Sequence, residues 1–128
     1  PAQARTIMPR ILIPPAAQKS QESPKTVPSM ILEIAQIDVK PGMEAEFERG
    51  VTNAIPIFKR AKGCKGMQLQ RSVEHPSRYR LFVQWETLEN HTVDFRGSPD
   101  FQEWRKLVAH CFAAAPQVEH TRAVVHGF

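Results

Sequence analysis

Cysteine is scarce in this sequence: the 128 residues include only Cys64 and Cys111, without the spacing of a metal site or of a disulfide framework. We therefore expect two reduced thiols in a cytoplasmic protein. No apolar run approaches the roughly 20 residues of a membrane-spanning helix, and the first residues lack the long apolar core of a signal peptide. These absences predict a protein with no membrane partner.

A strong charge bias is also missing outside the first 29 residues. The net charge is +4, and residues 1–29 supply +3 of it through four basic residues against Glu22. Residues 30–128 hold 13 basic and 12 acidic residues, a balance of +1. A nearly neutral body argues against the basic surface that binds nucleic acid, so we expect no nucleic-acid partner.

Motifs for phosphate, metal or nucleophilic chemistry are absent as well. The chain has six glycines but no glycine-rich phosphate loop, and no Ser-His-Asp spacing is present. His120 and His126 lie on a predicted strand and at its end, which is not a metal-ligand pattern. We expect no metal site and no cofactor.

Proline divides the chain into two parts. Residues 1–29 contain six of the eleven prolines and no glycine. Because proline fixes φ and removes a hydrogen-bond donor, neither a long helix nor a central strand fits there. We predict an extended arm at 1–29, whose apolar patch at 7–13 could lie along the body or along a partner subunit. One domain at 30–128 follows.

Residues 30–73 begin with a predicted strand at 30–39, which is rich in Ile and Val. The next predicted element is a helix at 43–61, because Phe47, Val51, Ala54 and Phe58 form one apolar stripe. Pro56 predicts a kink or an early break in that helix. A second strand is predicted at 67–73.

Residues 79–125 continue the alternation of strands and helices. A strand at 79–85 forms an antiparallel hairpin with 67–73, because the connection is short. Thr87 is the predicted cap of a short helix that reaches about Arg96, with Leu88, His91, Thr92 and Phe95 on one face. Ser98, followed by Pro99, caps the next helix. A last strand is predicted at 118–125.

This order predicts an α+β fold of the ferredoxin-like βαββαβ type, with one antiparallel sheet and helices on one face. The strand at 79–85 puts Phe82 opposite Leu81 and Val83, so both faces of the sheet carry apolar residues. The helices cover only one face. A second subunit packed on the other face would cover it, and we predict a homodimer.

Aromatic residues concentrate between Trp85 and Phe112. This stretch holds both tryptophans, two of the five histidines and three of the seven phenylalanines. We expect it to form one wall of a core or of a pocket.

Several short motifs resemble the antibiotic biosynthesis monooxygenase domain, a family of dimeric α+β barrels. They are Trp85-Glu86-Thr87 at a strand end, Ser98-Pro99-x-Phe101, Lys40-Pro41-Gly42 and Gly63-Cys64-x-Gly66. The resemblance covers about residues 30–125. It implies a pocket between the sheet and the helices of each subunit. Members of the family oxidise polycyclic anthrones or quinols with O₂ and use neither flavin nor metal.

The resemblance also assigns individual positions. Trp85 matches the family tryptophan near the pocket, and quinol-type members often carry a histidine on the following short helix, where His91 lies. A heme-degrading branch uses an asparagine and a histidine at positions that correspond to Ala35 and Arg105 here. Neither residue matches, which argues against heme cleavage.

From these points we predict a catalytic role for His91, Trp85 and Arg96. His91 would act as the base, because its pKa lies near neutrality, and an arginine would stabilise the anion that forms. The predicted substrate-binding residues are Phe95, Trp104, Phe82, Arg105 and His120. The structural alternatives are a buried histidine bonded to backbone, tryptophans of a core, and arginines that pair with Glu103 or cap a helix.

Three functions remain open from the sequence. The first is a cofactor-independent monooxygenase acting on a polycyclic or quinol-like aromatic. The second is a module that binds a small hydrophobic ligand without catalysis, and the third is a structural dimer whose arm recruits a partner. A pocket with a histidine and an arginine at its floor would favour the first, a purely apolar pocket the second and a filled pocket the third.

Overall fold

Strands and helices alternate in the order that the sequence predicts. The computed structural model describes residues 30–128, so the predicted arm at 1–29 lies outside the described residues. The elements are β1 (Ile31–Asp38), α1 (Glu44–Lys59), β2 (Cys64–Arg71), β3 (Arg78–Trp85), a π-helical turn (Asn90–Phe95), α2 (Pro99–Val108), a 3₁₀ turn (Ala109–Cys111) and β4 (Gln117–Thr121).

The sheet is antiparallel, with the strand order β2-β3-β1-β4. The two central strands are therefore β1 and β3, which pair from Ile31 opposite Trp85 to Asp38 opposite Arg78. The helices α1 and α2 follow β1 and β3 in the chain, as in the ferredoxin-like arrangement. The predicted fold class and the predicted hairpin of β2 and β3 are confirmed.

The two faces of the sheet differ in how well they are covered. On β3, Leu81, Val83 and Trp85 are buried at 2% exposure or less, while Phe82 between them is only partly buried. On β1, Ile34 shares the face of Phe82, and the two residues are cross-strand partners. Apolar side chains thus occupy the second face as well as the face beneath the helices.

Helix α1 confirms the predicted apolar stripe, since Phe47, Val51, Ala54 and Phe58 are all buried. The helix continues past Pro56 to Lys59, so the predicted early break is wrong. The carbonyl that loses its partner belongs to Thr52, an exposed residue. Water can replace a hydrogen bond on the solvent side of a helix, which explains why the proline is tolerated.

The predicted ends of two strands need correction. Strand β2 begins at Cys64 rather than Met67, because a register irregularity between Cys64 and Gly66 extends its pairing with β3. It ends at Arg71 rather than Val73, since Arg71 opposite Tyr79 is the last pair. Strand β4 ends at Thr121, since its partner β1 starts at Ile31, one residue beyond the last pair.

The short helix after β3 begins with the predicted cap. The Thr87 hydroxyl accepts from the Asn90 backbone N–H at 3.1 Å, and the Asn90 side chain accepts from the Thr87 N–H at 3.0 Å. Beyond this cap the turn is π-helical, with Arg96 N–H bonded to the His91 carbonyl at 3.1 Å. The predicted inward face is wrong for Leu88, which is 39% exposed, because it precedes the π-helical turn and lies in the capping segment.

The second helix is capped as predicted, since the Ser98 hydroxyl accepts from the Phe101 N–H at 3.3 Å. Trp104, Val108 and Cys111 are buried beneath it and the following 3₁₀ turn. Within residues 30–128, every helix is too short or too polar to cross a membrane.

Candidate active site

A cavity of about 190 Å³ lies between the sheet and the helices. Most of its wall is apolar, and the aromatic lining residues are Phe58, Phe95, Phe101, Trp104 and Phe112. Four side chains that line it can carry charge or exchange protons: Glu33, His91, Arg96 and Arg105. Such a cavity can bind a small aromatic molecule and apply acid-base chemistry to it.

Glu33 is the residue that the sequence analysis missed. It lies on β1 on the same face as Ile31, Ala35 and Ile37, and it is only 5% exposed. Its Oε1 accepts a hydrogen bond of 3.0 Å from the indole N–H of Trp85. Burial raises the pKa of Glu33 to about 7, although the Trp85 hydrogen bond and the charge of Arg96 oppose the rise.

His91 lies directly beside this carboxyl group and is 3% exposed. Its Nε2 is 3.3 Å from Oε1 of Glu33, and its Nδ1 is 2.8 Å from Nε2 of His120. Its ring stacks on Trp85 with centroids 5.3 Å apart. Burial lowers the pKa of His91 to about 4, with smaller effects of Arg96 and His120, so the imidazole is neutral at pH 7.

The three groups form a continuous hydrogen-bonded chain from Glu33 through His91 to His120. When Glu33 is ionised, Nε2–H of His91 donates to it and Nδ1 accepts from His120. When Glu33 carries a proton, the opposite tautomer of His91 fits, with Nδ1–H donating to His120. The chain can therefore carry a proton from the buried carboxyl to His120, which is partly exposed. The alternative prediction, that the His91 ring bonds to backbone, is wrong: the ring contacts the side chains of Glu33 and His120.

Gly63 packs closely against the turn that carries His91 and so fixes its position. Its φ is +79°, and a Cβ there would lie 2.0 Å from Oδ1 of Asn90, the residue next to His91. Its carbonyl also accepts from the Glu86 N–H at 2.8 Å. The Nδ2–H of Asn90 donates a hydrogen bond of 3.2 Å to Oδ2 of Asp94. This fixed π-helical turn is of the kind that often occurs at functional sites.

Arg96 and Arg105 both line the cavity and are both exposed residues. Among residues 30–128 neither guanidinium pairs with a carboxylate, and Glu103 binds Lys106 at 3.3 Å instead. The predicted pairing of an arginine with Glu103 is therefore not found. Two cations without an anionic partner in this part of the chain remain available to a ligand.

The other predicted site residues fall into three groups. Phe95 and Trp104 lie in the cavity wall. Trp85 and His120 do not line the cavity, since Trp85 is buried in the core and His120 lies behind His91; they contact the lining residues Glu33 and His91. Phe82 does not line the cavity, because it alternates with Leu81 and Val83 and points to the opposite face of the sheet. We leave it out of the proposed site.

His110 lies outside this cavity. Its Nε2 contacts Oε2 of Glu46 on α1, and the buried Cys111 follows it in the 3₁₀ turn. The His110–Glu46 contact ties α1 to the end of the second helical segment, and both side chains are about half exposed at 48%.

The fold and the cavity define the class of protein: a ferredoxin-like α+β domain with a binding cavity between the sheet and the helices. The sequence model of the antibiotic biosynthesis monooxygenase family matches residues 30–107. The chain belongs to this family, and the resemblance found in the sequence is confirmed.

Individual relatives support the same assignment. The chain is 61% identical to a Bordetella bronchiseptica protein that is provisionally assigned as an antibiotic biosynthesis monooxygenase; the match covers 76% of this chain and 99% of that one, with a TM-score of 0.75. It is 41% identical to the uncharacterised protein YczJ of Bacillus subtilis (strain 168), over 74% of this chain and all of the relative.

A more distant structure is a variant of SnoaB, a cofactor-independent oxygenase from Streptomyces nogalater. It shares 16% identity over 78% of this chain and 96% of its own, with a TM-score of 0.59. At this identity the likeness shows the shared fold.

Proposed function

We propose that the protein is a cofactor-independent monooxygenase that oxidises a small quinol-like aromatic with O₂. The observation that carries this proposal is the buried Glu33–His91 pair in the wall of an aromatic cavity, with Arg96 beside it. A pocket with a histidine and an arginine is the arrangement that favours an enzyme over a purely apolar binding module. Family membership and the activity named for SnoaB agree with it.

We assign the role of base to Glu33 rather than to His91. The pKa of His91 near 4 makes it a weak base at neutral pH, whereas a pKa near 7 suits proton transfer there. Oε1 of Glu33 is held by Trp85 and His91, while its Oε2 makes no hydrogen bond within residues 30–128. Oε2 can therefore accept a proton from the substrate, while Trp85 and His91 hold the other oxygen in place.

The reaction needs no other redox partner. Glu33 removes a hydroxyl proton from the quinol, and the resulting anion transfers one electron to O₂. The substrate radical and superoxide then join in a new C–O bond. Breaking the O–O bond leaves one oxygen atom in the quinone product and releases the other as water with two substrate hydrogens. Arg96 would stabilise the anion that forms when the proton leaves.

The size of the cavity limits the substrate. Pockets for drug-sized ligands are typically about 300–1,000 Å³, and this one is about 190 Å³. That volume favours a molecule with one or two rings over a larger polycyclic. Among the substrates considered from the sequence, a benzene or naphthalene quinol fits better than a three-ring anthrone.

We also propose that the protein is a homodimer in which the open sheet faces pack together to complete the barrel. Leu32, Ile34 and Phe82 supply apolar surface on that face, and the helices cover only the other one. Light scattering at micromolar concentration should give twice the mass of one chain, and the mass of a single chain would contradict the dimer. Two free cysteines are consistent with the cytoplasm as the proposed compartment.

Oxygen uptake tests the proposed activity. The purified chain, without added flavin, metal or heme, is measured against hydroquinones, naphthalene diols and anthrones in an oxygen electrode. We expect uptake above the autoxidation blank that falls in Glu33→Gln and in His91→Ala and is unchanged in His75→Ala, an exposed control. Binding of these compounds without any uptake would instead support a module that binds aromatics without catalysis.

A further inference from the structure

We infer that the cavity takes an aromatic hydroxy acid, whose hydroxyl faces Glu33 and Arg96 and whose carboxylate binds Arg105. This inference names the substrate class for the proposed site and so rests on the proposed function. It comes from the different positions of the two cavity arginines relative to the Glu33–His91 pair.

Arg96 belongs to the reacting end of the cavity. Burial is the main cause of the pKa shifts of Glu33, His91 and His120, and the charge of Arg96 is a further cause in all three. Its backbone N–H donates to the His91 carbonyl at 3.1 Å and its side chain lines the same cavity as Glu33, so it is placed to act on a hydroxyl that loses its proton to Glu33.

Arg105 lines the same cavity but belongs to another part of it. Its neighbour Trp104 contacts Phe58 with ring centroids 5.0 Å apart, while the ring contacts of His91 are with Trp85, Phe95 and His120. Arg105 follows Trp104 on α2 and is exposed, whereas Trp104 is 8% exposed and forms the wall. Arg105 thus places an exposed cation beside the Trp104 wall of the cavity, on a different element from Arg96.

A cation in this position suits a particular ligand. Arginine presents paired N–H donors that match the two oxygens of a carboxylate, and such charge-assisted bonds are stronger than neutral ones. Within residues 30–128 no protein carboxylate binds Arg105. With a volume of about 190 Å³, the cavity fits one or two rings between the two arginines. A hydroxyl at one end of the rings would face Glu33 and Arg96, and a carboxylate at the other would bind Arg105.

Equilibrium binding tests this inference independently of turnover. We use calorimetry with 6-hydroxy-2-naphthoate, its amide, and 2-naphthol, none of which is a quinol. The acid and the amide have nearly the same shape, so their difference measures the charge. We expect the acid to bind about tenfold more tightly or better than the amide and than 2-naphthol, as a charge-assisted pair would give.

Variants test whether Arg105 is the source of the preference for the acid. Arg105→Gln should remove the advantage of the acid and leave 2-naphthol binding unchanged, while Arg105→Lys should keep part of it. Arg49→Gln, an exposed arginine on α1, is the matched control and should behave as the wild type. Equal binding of acid and amide, or a preference that survives Arg105→Gln, would overturn the inference.

The two proposals fail in different ways. If the acid binds through Arg105 but carboxylated quinols give no oxygen uptake, the ligand class stands and the oxygenase proposal fails. If neutral quinols are oxidised and the acids are neither preferred nor bound through Arg105, the oxygenase stands and the inference fails.

Discussion

The indole N–H of Trp85 and the Nε2 of His91 meet at the same oxygen of Glu33, at 3.0 Å and 3.3 Å respectively. Antiparallel pairing sets this up, because Ile31 pairs with Trp85 and so puts the tryptophan two residues from Glu33 on the same face. One carboxyl oxygen is held by the protein, and the other makes no hydrogen bond within residues 30–128.

The rate of oxygen uptake should rise with pH through about 7. Glu33 must be ionised to accept a proton, and burial raises its pKa to about 7. In Glu33→Gln the rate should fall by about 10²–10⁴-fold, and the inflection near neutrality should disappear. Initial rates from pH 5.5 to 8.5, each corrected for autoxidation, check this. A Glu33→Gln variant that keeps the rate and the pH profile of the wild type would remove Glu33 from the mechanism.

Glu33 should make the stability of the protein depend on pH. Its folded pKa of about 7 lies above the ordinary value of 4.5, so the folded state binds a proton more tightly than the unfolded state. The stabilisation is present below pH 4.5 and is lost as the pH rises through 7, a change of about 3 kcal/mol at most. Glu33→Gln removes this loss.

Urea unfolding at pH 5 and pH 8 measures the effect. We expect the unfolding free energy of the wild type, relative to that of Glu33→Gln, to fall as the pH rises from 5 to 8. His91, whose folded pKa of about 4 lies below its ordinary 6.5, stabilises the fold above pH 6.5 and loses that contribution as the pH falls toward 4. It is present in both proteins, so the comparison isolates Glu33. An equal pH dependence in both would contradict the raised pKa.

Gly63→Ala should destabilise the protein and displace the turn that carries His91. The positive φ of +79° strains any residue with a Cβ, and the new atom would lie 2.0 Å from the Asn90 side chain. Gly42→Ala is the matched control, because its φ is +92° but nothing lies within 4 Å. We expect Gly42→Ala to lower the unfolding free energy by about 1–3 kcal/mol through strain alone. Gly63→Ala should lower it by more. Equal losses in unfolding free energy would show that the Asn90 contact is unimportant.

Gly50→Ala should force α1 and α2 farther apart and destabilise the protein. A Cβ at Gly50 would lie 2.4 Å from the Leu107 carbonyl oxygen and 3.0 Å from a methyl of Val108. Because backbone cannot move aside as a side chain does, we expect a loss of about 1–3 kcal/mol in unfolding free energy. Gly66→Ala is the comparison, since its nearest neighbour is the end of the Gln84 side chain at 3.7 Å. A loss at Gly50 no larger than that at Gly66 would contradict the close helix approach.

Local patterns in the sequence predicted most of the fold. Helix α1 was predicted from the apolar stripe of Phe47, Val51, Ala54 and Phe58. The start of α2 was predicted from Ser98 and Pro99. The strand ends were missed where long-range pairing decides them, as at Cys64 and Thr121. A short helix after β3 was predicted from Thr87 to about Arg96, but its π-helical hydrogen bonding was not, because the apolar pattern does not distinguish it from an α-helix.

The candidate site was only partly predictable for the same reason. His91, Phe95 and Trp104 stand out as aromatic or titratable residues on the inner face of predicted helices. Glu33 does not, because a lone carboxylate on an apolar strand ordinarily points to solvent. The available signal was its spacing, since it stands two residues from Ile31 and from Ala35 and so shares their buried face. Its partners Trp85 and His91 are brought to it by the sheet register and by the turn after β3.

Isotope labelling tests the central claim most directly. The metal-stripped protein is given a quinol that it consumes, under ¹⁸O₂, and the product and the water are analysed by mass spectrometry. A cofactor-independent monooxygenase that works through Glu33 should place one labelled atom in the quinone and one in water, and Glu33→Gln should lose this product. Formation of unlabelled quinone with labelled hydrogen peroxide, or of the same labelled product in Glu33→Gln, would contradict it.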